Sequence, residues 1–251
     1  MKIIKYAKMA TEAWENFISV DFKRKRICNH FHLRPTNSGV TVVSTLNGYE
    51  MRGSTGIKEK ERLLFILEVI SKNYEVLTSL NEKKKNEVMK NLDFPQRGKI
   101  KHRKLEEKIQ ATMINTMGKD RNLKGKLKSS NNIHFVASEL IFEKSKNRVD
   151  IVGYDNKDIY LFELKKGRTK KVEQVADYVK YYSEKNKKDI LRKILEHYPI
   201  NPVKEFNKIK GVMVMEYAEN SVGLTAWQKL AKQNQIHILF YKSALMYEAI
   251  T

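Results

Sequence analysis

The sequence predicts a mixed α/β protein in two parts, a smaller N-terminal α+β domain over residues 1–95 and a larger α/β domain over residues 96–251. Three observations carry this. A helix-periodic apolar run follows Lys58, Phe94-Pro95-Gln96-Arg97-Gly98 breaks the chain after it, and β-rich segments alternate with helical ones from about residue 103. Hydrophobic residues make up 41% of the 251, with only four prolines and eleven glycines, so a packed core is within reach. That composition excludes a collagen-like, Pro-rich or wholly disordered chain.

In the first part a short strand is expected near Ile3 to Tyr6, a helix from about Thr11, a strand-rich stretch Gly39 to Tyr49 and a long helix from Lys58 to about Asn91. In that helix Leu63, Leu64, Ile66, Leu67, Val69, Ile70, Tyr74, Leu77 and Leu80 keep helical spacing, with no proline or glycine interrupting. The residue before Pro95 is pushed out of the α region, which ends the helix and the domain.

Leu105, Ile109, Met113 and Met117 then recur every four residues, an amphipathic helix from about Arg103 that Gly118 terminates. A polar loop is expected over 119–132. His134 to Phe142, Arg148 to Tyr154 and Ile159 to Lys165 read as strands, the last two joined by the turn residues Asp155-Asn156-Lys157-Asp158. Val172 to Tyr182 and Ile190 to Tyr198 read as helices. Gly211 to Tyr217 and Ile236 to Tyr241 read as buried strands around a helix from Leu224 to Gln233.

The chain carries a formal net charge of +20, which favours an anionic partner. The excess is densest over residues 96–130, where eleven basic residues face three acidic ones. Lys99, Lys101, Arg103 and Lys104 open that stretch, and each phosphate neutralised by such a surface releases counterions. The N-terminus is too interrupted by charge for a signal peptide, and no apolar run reaches membrane-spanning length, so a soluble, cytoplasmic protein with no membrane partner is expected.

Cys28 is the only cysteine, which rules out an intrachain disulfide and any multi-cysteine zinc site. Cys28-Asn29-His30-Phe31-His32 places two histidines on one expected strand face, yet lacks the partner pair a finger requires. Walker and G-x-S-x-G patterns are absent, which disfavours nucleotide hydrolysis and serine nucleophiles.

Two strands carry residues unlike ordinary core. Arg148-Val149-Asp150-Ile151 is followed thirteen residues after Asp150 by Glu163-Leu164-Lys165. Side chains alternate along a strand, so Glu163 and Lys165 share a face, and the hairpin makes proximity to Asp150 feasible. Two carboxylates from neighbouring strands suit a hard divalent cation, and a lysine beside them suits a phosphate and an attacking water. Gln174 and Tyr178 follow at i and i+4 on one helical face.

Arg148-Val149-Asp150-Ile151, Glu163-Leu164-Lys165 and Gln174-Val175-Ala176-Asp177-Tyr178 together resemble the PD-(D/E)XK nuclease superfamily, most of all the catalytic domain of NucS-type DNA endonucleases, with the Q-x-x-x-Y element of RecB-like nucleases. The likeness covers about residues 103–218, and Val149 stands where the superfamily commonly has proline. It implies a restriction-endonuclease-like αβββαβ core and a metal-dependent deoxyribonuclease.

The same resemblance implies that Asp150 and Glu163 hold Mg²⁺ or Mn²⁺ with the Leu164 carbonyl, that Lys165 serves the water, and that Gln174 and Tyr178 border the site. An acid from the first helix often completes such sites. Helix phase sets Glu106 beside the stripe of Ile109 and Met113 and turns Glu107 away. Lys166, Arg168, Lys170 and Lys171 follow the active strand where a DNA backbone would pass. A homodimer would supply two active sites for two strands. A non-catalytic nucleic-acid-binding module is the competing class, and RNA remains an alternative substrate. Repair, restriction and defence would each employ such a core.

Overall fold

The computed structural model describes residues 2–48, 50–94, 105–141, 148–165, 172–216, 224–243 and 246–250. The chain is mixed α/β, and its described residues form two sheets. Its contacts form two compact units, residues 1–111 with 196–202, and residues 112–195 with 203–251. This division differs from the sequence boundary after residue 95. Segment 196–202 joins the first unit because the Thr11 hydroxyl donates to the His197 carbonyl at 2.5 Å and the Tyr198 ring is buried.

In the first unit, helix α1 (Lys2–Val20) replaces the expected strand and later helix start. Ile3, Tyr6, Ala7, Ala10, Ala13, Trp14 and Phe17 are its buried residues, a spacing of three and four that only a helix turns to one side. A 3-10 helix (Phe22–Asn29), capped by Asp21, leads into β1 (Phe31–Thr36), β2 (Gly39–Ser44), a short 3-10 turn (Leu46–Gly48) and β3 (Met51–Ile57). These strands form an antiparallel sheet in the order β1-β2-β3. At Gly39, φ is +143° and an added Cβ would lie 2.5 Å from the Gly56 carbonyl carbon, so only glycine fits where β2 meets β3.

The expected long helix is three shorter ones, α2 (Lys60–Lys72), α3 (Tyr74–Thr78) and α4 (Glu82–Asn91). Asn73 and Asn81 cause the breaks. The Asn73 amide donates to the Val69 carbonyl at 2.8 Å, and Asn81 accepts from the Lys84 N–H at 3.2 Å as a cap. Leu80, counted in the apolar stripe, is 96% exposed between them. Phe17, Ile27, Phe31, Leu33, Met51, Leu63 and Leu67 lie in the core of this unit.

Helix α5 (Leu105–Thr116) spans the division between the units, and Gly118 (φ +91°) follows it. The expected loop contains a six-residue helix, α6 (Arg121–Lys126), which starts where the Asp120 carboxylate accepts from the Leu123 N–H at 2.9 Å. Next come β4 (His134–Ile141), β5 (Arg148–Tyr154), β6 (Ile159–Lys165), α7 (Val172–Ser183), α8 (Lys185–Leu195), β7 (Ile209–Glu216), α9 (Leu224–Gln233), β8 (Ile236–Ser243) and β9 (Met246–Ile250).

The six strands lie in sequence order; β6-β7-β8 run parallel and the other neighbours antiparallel. In the β5–β6 turn, the Asp155 carboxylate accepts from the backbone N–H groups of Lys157 and Asp158, and Asn156 takes φ +70°. Helix α7 lies over β7 at Gly211, where an added Cβ would fall 2.7 Å from Val175 Cγ1. Among the described residues no helix is long and apolar enough to cross a membrane.

Candidate active site

The β5–β6 register pairs Ile151 with Phe162, and one step along sets Asp150 across from Glu163. Glu163 and Lys165 are two apart on β6, so they share that face. Lys165 Nζ meets Glu163 Oε1 at 2.5 Å. Gln174 Nε2 donates to the same Oε1 at 3.0 Å and contacts the Tyr178 hydroxyl at 2.5 Å. Tyr178 in turn donates to the Arg148 carbonyl at 3.2 Å, which ties α7 back to the strand that bears Asp150. The Leu164 N–H donates to Asp150 Oδ2 at 2.7 Å. Of the six side chains expected at the site, five, Asp150, Glu163, Lys165, Gln174 and Tyr178, therefore meet in one connected group.

The electrostatics of this group are unlike those of a surface hairpin. Burial, followed by the Glu163 charge, pushes the Asp150 carboxyl up to about 8, while the Leu164 N–H and Lys165 oppose the shift. Burial likewise raises the Tyr178 phenol, with the Gln174 hydrogen bond acting against it. Both hydroxyl and carboxyl are thus favoured in their protonated forms when no further cation is present. Two acids held this close are suited to sharing a proton or a positive ion.

One acid in this row was not anticipated. Glu139 on β4 falls between the pairs Ser138↔Ile151 and Leu140↔Val149, hence opposite Asp150. It is buried, takes φ +52° and meets Arg148 Nη1 at 2.5 Å. Its charge adds to the upward push on Asp150. A lone acid inside the apolar run from Phe135 to Ile141 was the sequence signal that could have found it.

The Glu106 side chain lies outside the described residues, as do Lys99, Lys101, Arg103, Lys104, Lys166, Arg168, Lys170 and Lys171. Glu107, expected to face away, is half-buried instead. The two histidines of the Cys28 segment do not share a strand face, because His30 caps the 3-10 helix and only His32 enters β1. His32 is buried, and burial pushes its imidazole down to about 3. The Cys28 Sγ donates to the Lys25 carbonyl at 2.7 Å. Among the described residues no group of three or more His, Cys, Asp or Glu side chains is arranged to hold a metal ion. No family model matches the chain, and neither a curated protein nor a solved structure matches it.

Proposed function

We propose that the chain is a metal-dependent nuclease that hydrolyses DNA phosphodiester bonds, with a restriction-endonuclease-like core formed by α5, β4, β5, β6, α7 and β7. The observation that carries the reading is the pairing of Asp150 with Glu163 across β5 and β6, beside Lys165 and Gln174. The resemblance of these same residues to the PD-(D/E)XK pattern supports it, and so does the net charge of +20.

The donors suit a hard divalent cation such as Mg²⁺ or Mn²⁺, because the strand register sets the Asp150 and Glu163 carboxyl groups opposite one another, and burial, then the Glu163 charge, raise the Asp150 carboxyl. Asp150, Glu163 and the Leu164 carbonyl would hold it. When bound, it supplies positive charge to the phosphate and makes water more acidic. Lys165 then holds the attacking water and offsets charge developing on the phosphate oxygens. Gln174 fixes the orientation of the Glu163 carboxylate it donates to, and Tyr178 fixes Gln174. Hydrolysis leaves a 5′-phosphate and a 3′-hydroxyl.

Incubation of the full chain with supercoiled plasmid, linear duplex, single-stranded DNA and RNA, with and without Mg²⁺ or Mn²⁺, tests the reading. Cleavage of plasmid only with metal is the expected result. Binding without cleavage of any substrate would point instead to a nucleic-acid-binding module, and cleavage of RNA alone would change the substrate.

A further inference from the structure

Building on the nuclease reading, we propose that Arg148 is a phosphate-binding cation of this site and that Glu139 is the positioning residue that holds it there. Arg148 and Asp150 are two apart on β5 and so project from one face. That face carries Asp150, Glu163 and, one strand over, Glu139, and the charges of the two glutamates repel an arriving phosphate. Lys165 is already tied to Glu163 at 2.5 Å. The Arg148 side chain is 43% exposed, and among the described residues Glu139 is its one side-chain partner. A guanidinium has five N–H donors in a planar fork, so the contact through Nη1 leaves others for phosphate oxygens.

Two further observations separate this pair from an ordinary surface ion pair. Glu139 takes φ +52° within a strand, a conformation unfavourable for any residue with a Cβ other than Asn or Asp. Its carboxylate is also buried, which is unfavourable without a partner. An exposed arginine returns little stability for a strained and buried acid. The arrangement does fix where the arginine head lies. The Arg148 backbone is fixed as well, because its carbonyl accepts from the Tyr178 hydroxyl at 3.2 Å, at the end of the chain that runs through Gln174 to Glu163. Arg148 is thereby coupled at both ends to groups of the same site.

The test is anisotropy titration of a fluorescein-labelled DNA duplex in EDTA over a range of salt, joined to steady-state cleavage in Mg²⁺, with the full chain. Arg148→Gln should weaken binding about tenfold, and should make the slope of log K against log salt shallower by about one. Glu139→Asn removes the carboxylate with a residue that accepts positive φ, so the fold should survive, as circular dichroism and melting will show. In the Glu139→Asn background, Arg148→Gln should change binding by about threefold or less, since the arginine is no longer held. Glu139→Asn alone should weaken duplex binding about threefold and raise KM correspondingly, because the arginine contact is lost in the ground state as well.

An unchanged affinity and salt slope in Arg148→Gln would overturn the phosphate role. The same tenfold effect of Arg148→Gln in both backgrounds would overturn the positioning role. If the wild-type chain binds the duplex yet never cleaves, the nuclease reading fails by itself, and the two binding comparisons still decide both roles.

Discussion

Replacing Asp150 by Asn should make the protein more stable while abolishing cleavage. Burial and the Glu163 charge raise the Asp150 carboxyl from 3.8 to about 8. A folded-state value above the unfolded one means that the folded chain binds the proton more tightly. The resulting penalty is absent below the unfolded value and complete above the folded one. At pH 7 the full linkage would be roughly 4 kcal/mol, taken at 1.36 kcal/mol per pH unit. Sharing of the proton with Glu163 and partial access of water reduce the expectation to about 2 kcal/mol. Asn keeps the volume and an acceptor for the Leu164 N–H, so little else is lost. A gain of that size raises Tm by about 4–8 °C in a domain of these dimensions. Scanning calorimetry in EDTA at pH 7 and near pH 4 is the assay, and the gain should shrink toward zero at the lower pH. A lower Tm for Asp150→Asn at pH 7, or a gain of equal size at both pH values, would refute the reasoning.

Two other expectations concern the scaffold. His32 is buried beside Glu50 and Arg34 and its imidazole is held down to about 3, chiefly by burial, so it stays neutral when folded. Unfolded chains take up that proton below 6.5, and stability should fall by roughly 2 kcal/mol between pH 7 and pH 5; denaturant melts of His32→Gln should show a smaller loss, and an identical loss would count against this. Gly211→Ala should destabilise by about 1–3 kcal/mol, because its Cβ would meet Ile236, Val175 and Val179, and should lower cleavage by displacing the helix that bears Gln174 and Tyr178. Unaltered urea midpoint and activity in that variant would contradict the close packing of α7 on β7.

The second unit was the more legible part of the sequence. Arg148–Tyr154, Ile159–Lys165 and Leu224–Gln233 have the expected bounds, because alternation, turn residues and helical period each act within a few neighbouring residues. The row of Asp150 and Glu163 followed from strand alternation and a short hairpin, and Gln174 with Tyr178 followed from helix geometry. Glu139 did not, since its place opposite Asp150 depends on cross-strand register and a positive φ that spacing does not encode. The short run near Ile3 to Tyr6 was ambiguous in period, and only the continuation through Phe17 distinguishes helix from strand. Asn73 and Asn81 broke the expected long helix through side-chain hydrogen bonds, against an apolar spacing that runs through Asn73 and up to Leu80. Strand β9 is five residues long and lies at the sheet edge, too short for either period to declare itself.

The most direct measurement of the central claim is plasmid cleavage in Mg²⁺ or Mn²⁺ by the wild-type chain and by Asp150→Asn, Glu163→Gln and Lys165→Met, each verified as folded. The account predicts metal-dependent cleavage by the wild type, a loss of at least about a hundredfold in each variant, and duplex binding retained in the two carboxylate variants. Undiminished cleavage by folded Asp150→Asn and Glu163→Gln, or wild-type cleavage unaffected by EDTA, would contradict it.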